Sequence, residues 1–171
     1  MREESKLDIE ELLLSIGEGA KKASVSLAHT SSQTKNKVLA LAADQISKTQ
    51  DYILSENAKD LSRAKQRGLS EALLDRLILD RDRLGNITDA LHDIAKLEDP
   101  IGSIIAEWTR PNGLAIQRVR APIGVIGVIY ESRPNVTADA AALCLKAGNA
   151  AILRCGSEST HSCRAILQSF T

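Results

Sequence analysis

Apolar positions recur at helical spacing through the first hundred residues. Leu12, Leu13, Ile16, Ala20, Ala23 and Leu27 form one stripe, interrupted by the weak helix formers Gly17 and Gly19, and Val38, Leu41, Ala42 and Ile46 form a second. Ile53, Leu61 and Ala64 carry a third helix that Gly68 is placed to end. Ser70 and Glu71 with Leu73, Leu74 and Leu77 predict a short capped helix, and Leu84, Ile87, Leu91 and Ile94 predict another that stops before Asp99-Pro100. This half has the pattern of a small helical bundle and no chemistry of its own.

The pattern changes after residue 100. Trp108 to Gly113 places turn formers between two strand-like segments, which predicts a hairpin with positive φ at Asn112-Gly113. Pro122 opens the apolar run Ile123 to Tyr130, the length of a strand covered on both faces in a parallel sheet. Thr137 to Ala147 is an alanine-rich helical segment stopped by Gly148-Asn149, Ala150 to Leu153 is a second apolar run, and Ser157 to Phe170 is another helix. Gly124 to Leu153 covers about 30 residues, the size of one β-α-β unit with a right-handed crossover. Two parallel strands alone leave backbone groups and apolar faces uncovered, so further chain or another molecule is expected to cover them.

Composition narrows the function classes. The 171 residues are 43% apolar and 26% charged, suited to one ordinary domain. Lys plus Arg equals Asp plus Glu at 22 each and aromatic residues are 2%, so neither a basic field nor stacking platforms invite nucleic acid. Met1 to Glu11 is charged and polar, without a secretory or transit pattern, and the apolar runs are shorter than a membrane span, so no membrane partner and a cytoplasmic location are expected. Cys144, Cys155 and Cys163 are odd in number and lack CxxC spacing, which reads as free thiols with no disulfide framework and no metal site. Gly124-x-x-Gly127 lies within the strand and opens no helix, so close backbone packing explains it better than a dinucleotide fingerprint.

The loop Glu131 to Asn135 sits at the carboxyl end of the first parallel strand, where open α/β sheets bind ligands. Arg133 has the planar fork that matches phosphate or carboxylate, though an ordinary surface arginine or a loop brace fits equally well. Asn135, following Pro134, reads by pattern as a turn residue capping the next helix.

The stretch Val125 to Thr137, with Ala140 to Ala150 and Ile152 to Glu158, closely resembles the cofactor-domain motifs of the gamma-glutamyl phosphate reductase family in the aldehyde dehydrogenase superfamily. The likeness extends upstream through Glu56-Asn57 with Asp60, Asp75-Arg76-Leu77, Asp99 to Gly102 and Trp108 to Leu114, and the first dozen residues are least distinctive. It implies an α/β fold in which residues 1–100 are a helical amino-terminal region of the cofactor domain. Residues 101–121 are then a β-hairpin arm and 122–171 the first β-α-β-α of an incomplete Rossmann-like NADP-binding domain.

The same resemblance implies NADPH-dependent reduction of gamma-glutamyl phosphate to glutamate-5-semialdehyde plus phosphate, through a cysteine thioester, in proline biosynthesis. It makes Asn135 the donor to the oxyanion, Arg133 a substrate contact, and Arg154, Gly156, Ser157 and Glu158 the contacts to NADP(H). An arginine beside a neutral serine suits a 2′-phosphate, whereas Glu158 either turns towards the ribose or supports the start of the next helix. Cys155 stands where the family usually has glycine. The family's nucleophilic cysteine lies beyond Thr171, so none of the three thiols is expected to be catalytic and the chain alone is expected to be inactive. A homo-oligomer, or pairing with the missing portion, is implied. The alternative is a non-catalytic truncated interaction or regulatory protein that associates through its exposed strands.

Overall fold

The computed structural model describes residues 2–171, with side chains from residue 9 onward. Helices α1 (Arg2–Ala28), α2 (Ser32–Lys48), α3 (Gln50–Gln66), α4 (Glu71–Leu77) and α5 (Arg81–Lys96) come first. Strands β1 (Ile104–Thr109) and β2 (Ala115–Val119) form an antiparallel hairpin. Then β3 (Val125–Ile129), α6 (Pro134–Lys146), β4 (Ala150–Arg154) and α7 (Thr160–Leu167) follow, with single 3-10 turns at Ser157–Ser159 and Gln168–Phe170. β3 and β4 are parallel, Val125 opposite Ala150 and Ile129 opposite Arg154, and α6 is the crossover. The chain therefore has the α/β organisation read from its pattern: a helical first part, a hairpin, and a β-α-β-α unit.

The helices do not form a separate bundle. Leu39, Ala42, Ala43 and Ile46 of α2, Ile53 of α3, and Leu84, Ile87 and Leu91 of α5 share one core with Ala138 and Ala142 of α6 and Ala165 and Ile166 of α7. Each fully buried Leu or Ile stabilises the fold by about 1.5–3 kcal/mol, and the alanines let the helices approach closely. Helix α6 ends with Gly148 N–H donating to the Leu145 carbonyl (2.9 Å) and Asn149 N–H to that of Cys144 (2.8 Å), a Schellman closure. The Asn149 side chain then accepts from Gly124 N–H at 2.8 Å, which pins the start of β3 beside the start of β4.

Two polar residues occupy core positions on α3, whose inward stripe is Ile53, Asn57, Asp60 and Ala64. Asn57 donates to the Leu77 carbonyl (2.8 Å) and to Ser162 Oγ (2.9 Å), and accepts from Leu79 N–H (2.9 Å). Asp60 accepts from the amides of His161 (3.3 Å) and Ser162 (2.8 Å) and from the Ser162 hydroxyl (2.7 Å). Ser159, the N-cap residue of α7, makes no side-chain bond to the first amides of the helix, and a carboxylate from another helix satisfies them.

Several expectations are corrected. Gly17 and Gly19 do not interrupt α1, and the stripe Leu12, Leu13 and Ile16 stays exposed, because a helix of about 40 Å outruns the five-residue strands that its carboxyl end rests on. Leu41 points outward while Leu39 takes the core position. Only Gly113 has positive φ in the hairpin turn; Asn112 instead accepts from Leu114 N–H through its side chain (3.2 Å). The run Ile123 to Tyr130 is not covered on both faces, since Ile123 is 83% and Ile129 76% exposed. Gly124 and Gly127 do not mark close packing: space beside each is open, and Gly124 precedes β3 with φ of 116°.

A second polar junction holds the helical region to the β-α-β unit. Lys35, 2% exposed, pairs with Asp99, whose carboxyl also accepts from Ile101 N–H at 3.0 Å. Lys146 is buried nearby and donates to Asn36 Oδ1 (2.6 Å) and the Ala95 carbonyl (2.9 Å). Burial works to raise the Asp99 carboxyl, but Lys35 and the Ile101 amide outweigh it and hold the group below its ordinary value. A carboxyl depressed on folding adds stability above its unfolded value, and that stability is lost as pH falls through the lowered folded value. Thermal unfolding followed from neutrality into acid should therefore show melting fall off below about pH 4. Asp99→Asn should destabilise by about 3 kcal/mol at neutral pH, because it leaves a buried ammonium without its counter-charge, and should flatten the acid limb. An unchanged acid limb in Asp99→Asn would assign acid sensitivity elsewhere.

Candidate functional site

Both connections leaving the carboxyl ends of the parallel strands meet at one edge of the sheet. The first, Glu131 to Arg133, joins β3 to α6; the second, Cys155 and Gly156, runs from β4 into the turn Ser157–Ser159. Tyr130 N–H donates to the Arg154 carbonyl at 3.1 Å, extending the ladder to the lip of the two loops. Ser132 Oγ donates to Glu158 Oε2 at 2.8 Å, and Ser157 Oγ donates to Glu158 Oε1 at 2.9 Å. These hydroxyls, first Ser132 and then Ser157, hold the Glu158 carboxyl below its ordinary value. Glu158 thus binds the two loops together at the start of the turn that leads into α7.

Gly156 permits this closure by having no side chain. A Cβ there would lie 2.1 Å from Ser132 Oγ and 3.1 Å from Ser132 N. The Gly156 position follows from the approach of the neighbouring loop, a constraint that the linear sequence does not display.

The structure begins α6 at Pro134 rather than at Thr137, with Pro134 in the first turn and Arg133 at the N-cap without a side-chain cap bond. Asn135 is therefore inside the first turn and does not cap the helix. Its Nδ2 faces Asp139 Oδ2, one turn on, at 3.3 Å. Arg133 is exposed, with Nε 3.6 Å from Glu131 Oε2. Arg76 of α4 reaches the same oxygen at 3.0 Å.

Arg133, Asn135 and Asp139, from the loop after β3 and from α6, line a cavity of about 500 Å³ together with Arg76, Arg83 and Asn86 of α4 and α5. Arg83 is committed to Asp75, at 2.7 Å, and to the Ile78 carbonyl, at 2.9 Å. Sequence reading found Arg133 and Asn135 but missed the wall supplied by α4 and α5. The available signal for Asp139 was its spacing of four from Asn135, which puts both on one helix face.

Arg154 ends β4 with an exposed side chain, and Ser157 is exposed beside it. No acidic side chain pairs with Arg154 among the described residues. Burial raises the thiols of Cys144 and Cys163, the latter to about 11, the reverse of what a thiolate nucleophile requires. No cluster of metal-ligating side chains occurs among the described residues, and no helix among them is long and apolar enough to cross a membrane.

The chain is 55% identical to a gamma-glutamyl phosphate reductase of Paramagnetospirillum magneticum over 160 residues, which is 94% of this chain and 38% of that protein. It resembles the amino-terminal part of that enzyme. The chain spans well under half the length of the curated relatives it matches. The crystal structure of the Thermotoga maritima gamma-glutamyl phosphate reductase superposes with a TM-score of 0.90 at 39% identity, covering 92% of this chain and 38% of that one. A NAD-dependent benzaldehyde dehydrogenase from Corynebacterium glutamicum shares the fold, with a TM-score of 0.68 at 19% identity, covering 89% of this chain and 32% of its own. No protein-family model matches the chain.

The clasp between Gly156 and Ser132 is open to direct test. Gly156→Ala should lower stability by about 1–3 kcal/mol through overpacking against Ser132. Adding Ser132→Ala should recover part of that loss although it removes the bond to Glu158, so thermal melts of the two single variants and the double variant should be clearly non-additive. Additive losses would mean that the loops are not in contact in solution.

Proposed function

We propose that this chain forms the oxyanion-donating and cofactor-binding part of an NADP-dependent gamma-glutamyl phosphate reductase. The enzyme would convert gamma-glutamyl phosphate and NADPH to glutamate-5-semialdehyde, phosphate and NADP in proline biosynthesis, in the cytoplasm. The observation that carries the proposal is that Asn135 and Arg133 together line one cavity, beyond the carboxyl end of a parallel strand.

Asn135 Nδ2 carries two N–H bonds, and its long contact with Asp139 uses at most one. The other is available to an oxygen that gains negative charge when a thiolate attacks an acyl phosphate, which is the donor role of an oxyanion hole. Arg133, only loosely held by Glu131, is suited to the anionic substrate. The nucleophilic thiol is assigned to the rest of the enzyme, so the 171 residues alone are expected to be inactive.

The cofactor, when bound, would supply the hydride. Arg154 would hold its 2′-phosphate, and Ser157 would join it by turning its hydroxyl away from Glu158, with Gly156 and Glu158 shaping the loop. The donor set fits a phosphate: Glu158, the loop's carboxylate, is engaged by Ser132 and Ser157, which leaves the Arg154 charge unopposed. We also propose that the hairpin takes part in homo-oligomer assembly, since Ile104, Trp108 and Leu114 present apolar surface there.

In a full-length enzyme containing these residues, Arg154→Ala should weaken NADPH much more than NADH, measured as separate KM values. Equal losses would remove Arg154 from phosphate recognition. Asn135→Ala should lower kcat by about a hundredfold or more with cofactor affinity nearly unchanged. A normal kcat would reduce Asn135 to a structural residue of α6.

A further inference from the structure

The charges lining the Asn135 cavity do not all cancel against one another. Asp75 and Arg83 satisfy each other at 2.7 Å, and Arg76 takes Glu131 at hydrogen-bonding distance, 3.0 Å. Arg133 reaches only the same Glu131 oxygen, at 3.6 Å, beyond hydrogen-bond length. Asp139 has no cationic partner among the described residues; its contact is the neutral carboxamide of Asn135. One cation and one carboxylate of the lining are thus left under-neutralised, on the same side of the cavity and flanking the proposed oxyanion donor.

Holding a carboxylate there has a cost. Asp139 is half-buried, and that burial raises its carboxyl above the ordinary range, with the Asn135 amide offsetting only part of the effect. A surface role would not require the desolvation, and a core role would bring a cationic partner with it. A bound cation would remove the penalty. The cavity volume of about 500 Å³ accommodates a small metabolite with room to spare.

We propose that Asp139 is the counter-ion for the α-ammonium group of the substrate, with Arg133 taking its α-carboxylate, so that this cavity selects an α-amino acid derivative over the corresponding simple dicarboxylic derivative. The proposal rests on the reductase reading above and deepens it: it names the residue that reads the amino group. Asp139 is then a specificity residue. Asn135 serves the reacting carbonyl, and the two neighbouring side chains act on different groups of one substrate. An ion pair made in a partly dehydrated cavity gives strong discrimination, because a substrate without the ammonium leaves the carboxylate desolvated and unmatched.

The test compares two aldehydes in the phosphate-dependent reverse reaction of a full-length enzyme containing these residues: open-chain glutamate-5-semialdehyde and 5-oxopentanoate, which lacks the amino group. In the Asp139→Asn variant, kcat/KM for the semialdehyde should fall by about tenfold or more while that for 5-oxopentanoate stays level or rises. Equal losses with both aldehydes would overturn the proposal and leave Asp139 as a brace for Asn135. Competition by L-glutamate and by glutarate against the unaltered enzyme supplies a second measurement that does not depend on the variant folding. Tighter inhibition by L-glutamate supports the assignment, and equal inhibition overturns it. If the unaltered enzyme oxidises neither aldehyde, the reductase reading fails; direct binding of L-glutamate and glutarate, with and without Asp139→Asn, still decides whether Asp139 reads an ammonium group.

Discussion

The site depends on a polar junction placed inside the helical core. Asn57 and Asp60, each 1% exposed, occupy positions on α3 that would ordinarily be apolar. Asn57 holds the segment between α4 and α5 through the backbone of Leu77 and Leu79, and Asp60 holds the first amides of α7. The first segment carries the cavity wall that faces Asn135, and the second follows the loop bearing Arg154, Gly156 and Ser157. One helix thereby sets the spacing of both sides. A buried carboxylate accepting three hydrogen bonds has its desolvation offset only in that arrangement, so the junction favours a single geometry over slightly displaced ones.

Much of the fold was legible in the pattern of the chain, for identifiable reasons. Leu84, Ile87 and Leu91 sit at helical spacing and all three are buried in α5, because that helix lies between others and has one inward face. The parallel pairing of β3 with β4 follows from two apolar runs separated by a helix-length segment, a combination with few alternative solutions. Exposure was less legible. Ile123 and Ile129 look like core residues by composition and lie open to solvent, since a two-stranded sheet has too little surface around it to cover them.

The site was legible in part. Arg133 and Asn135 were found through motif and position, yet the role of Asn135 as a helix cap was ruled out only by seeing Pro134 inside α6. Arg76, Arg83 and Asn86 reach the cavity from far along the chain, and no local spacing connects them to Asn135. Asn57 and Asp60 did leave a signal: counted from Ile53 they fall at i+4 and i+7 of an apolar stripe, where polar residues either weaken a core or bind something within it.

The contact of Gly156 with Ser132 has a mechanical consequence. With Ser132 Oγ bonded to Glu158 and no room for even a methyl group between the loops, neither can shift by a fraction of an ångström without pushing or pulling the other. The two loops form one stiff element hinged on the ends of β3 and β4. Motion imposed at Arg154 and Ser157 is delivered two residues away from Pro134, at the root of the helix that carries Asn135, so occupancy at one end of the cleft would be felt as geometry at the other.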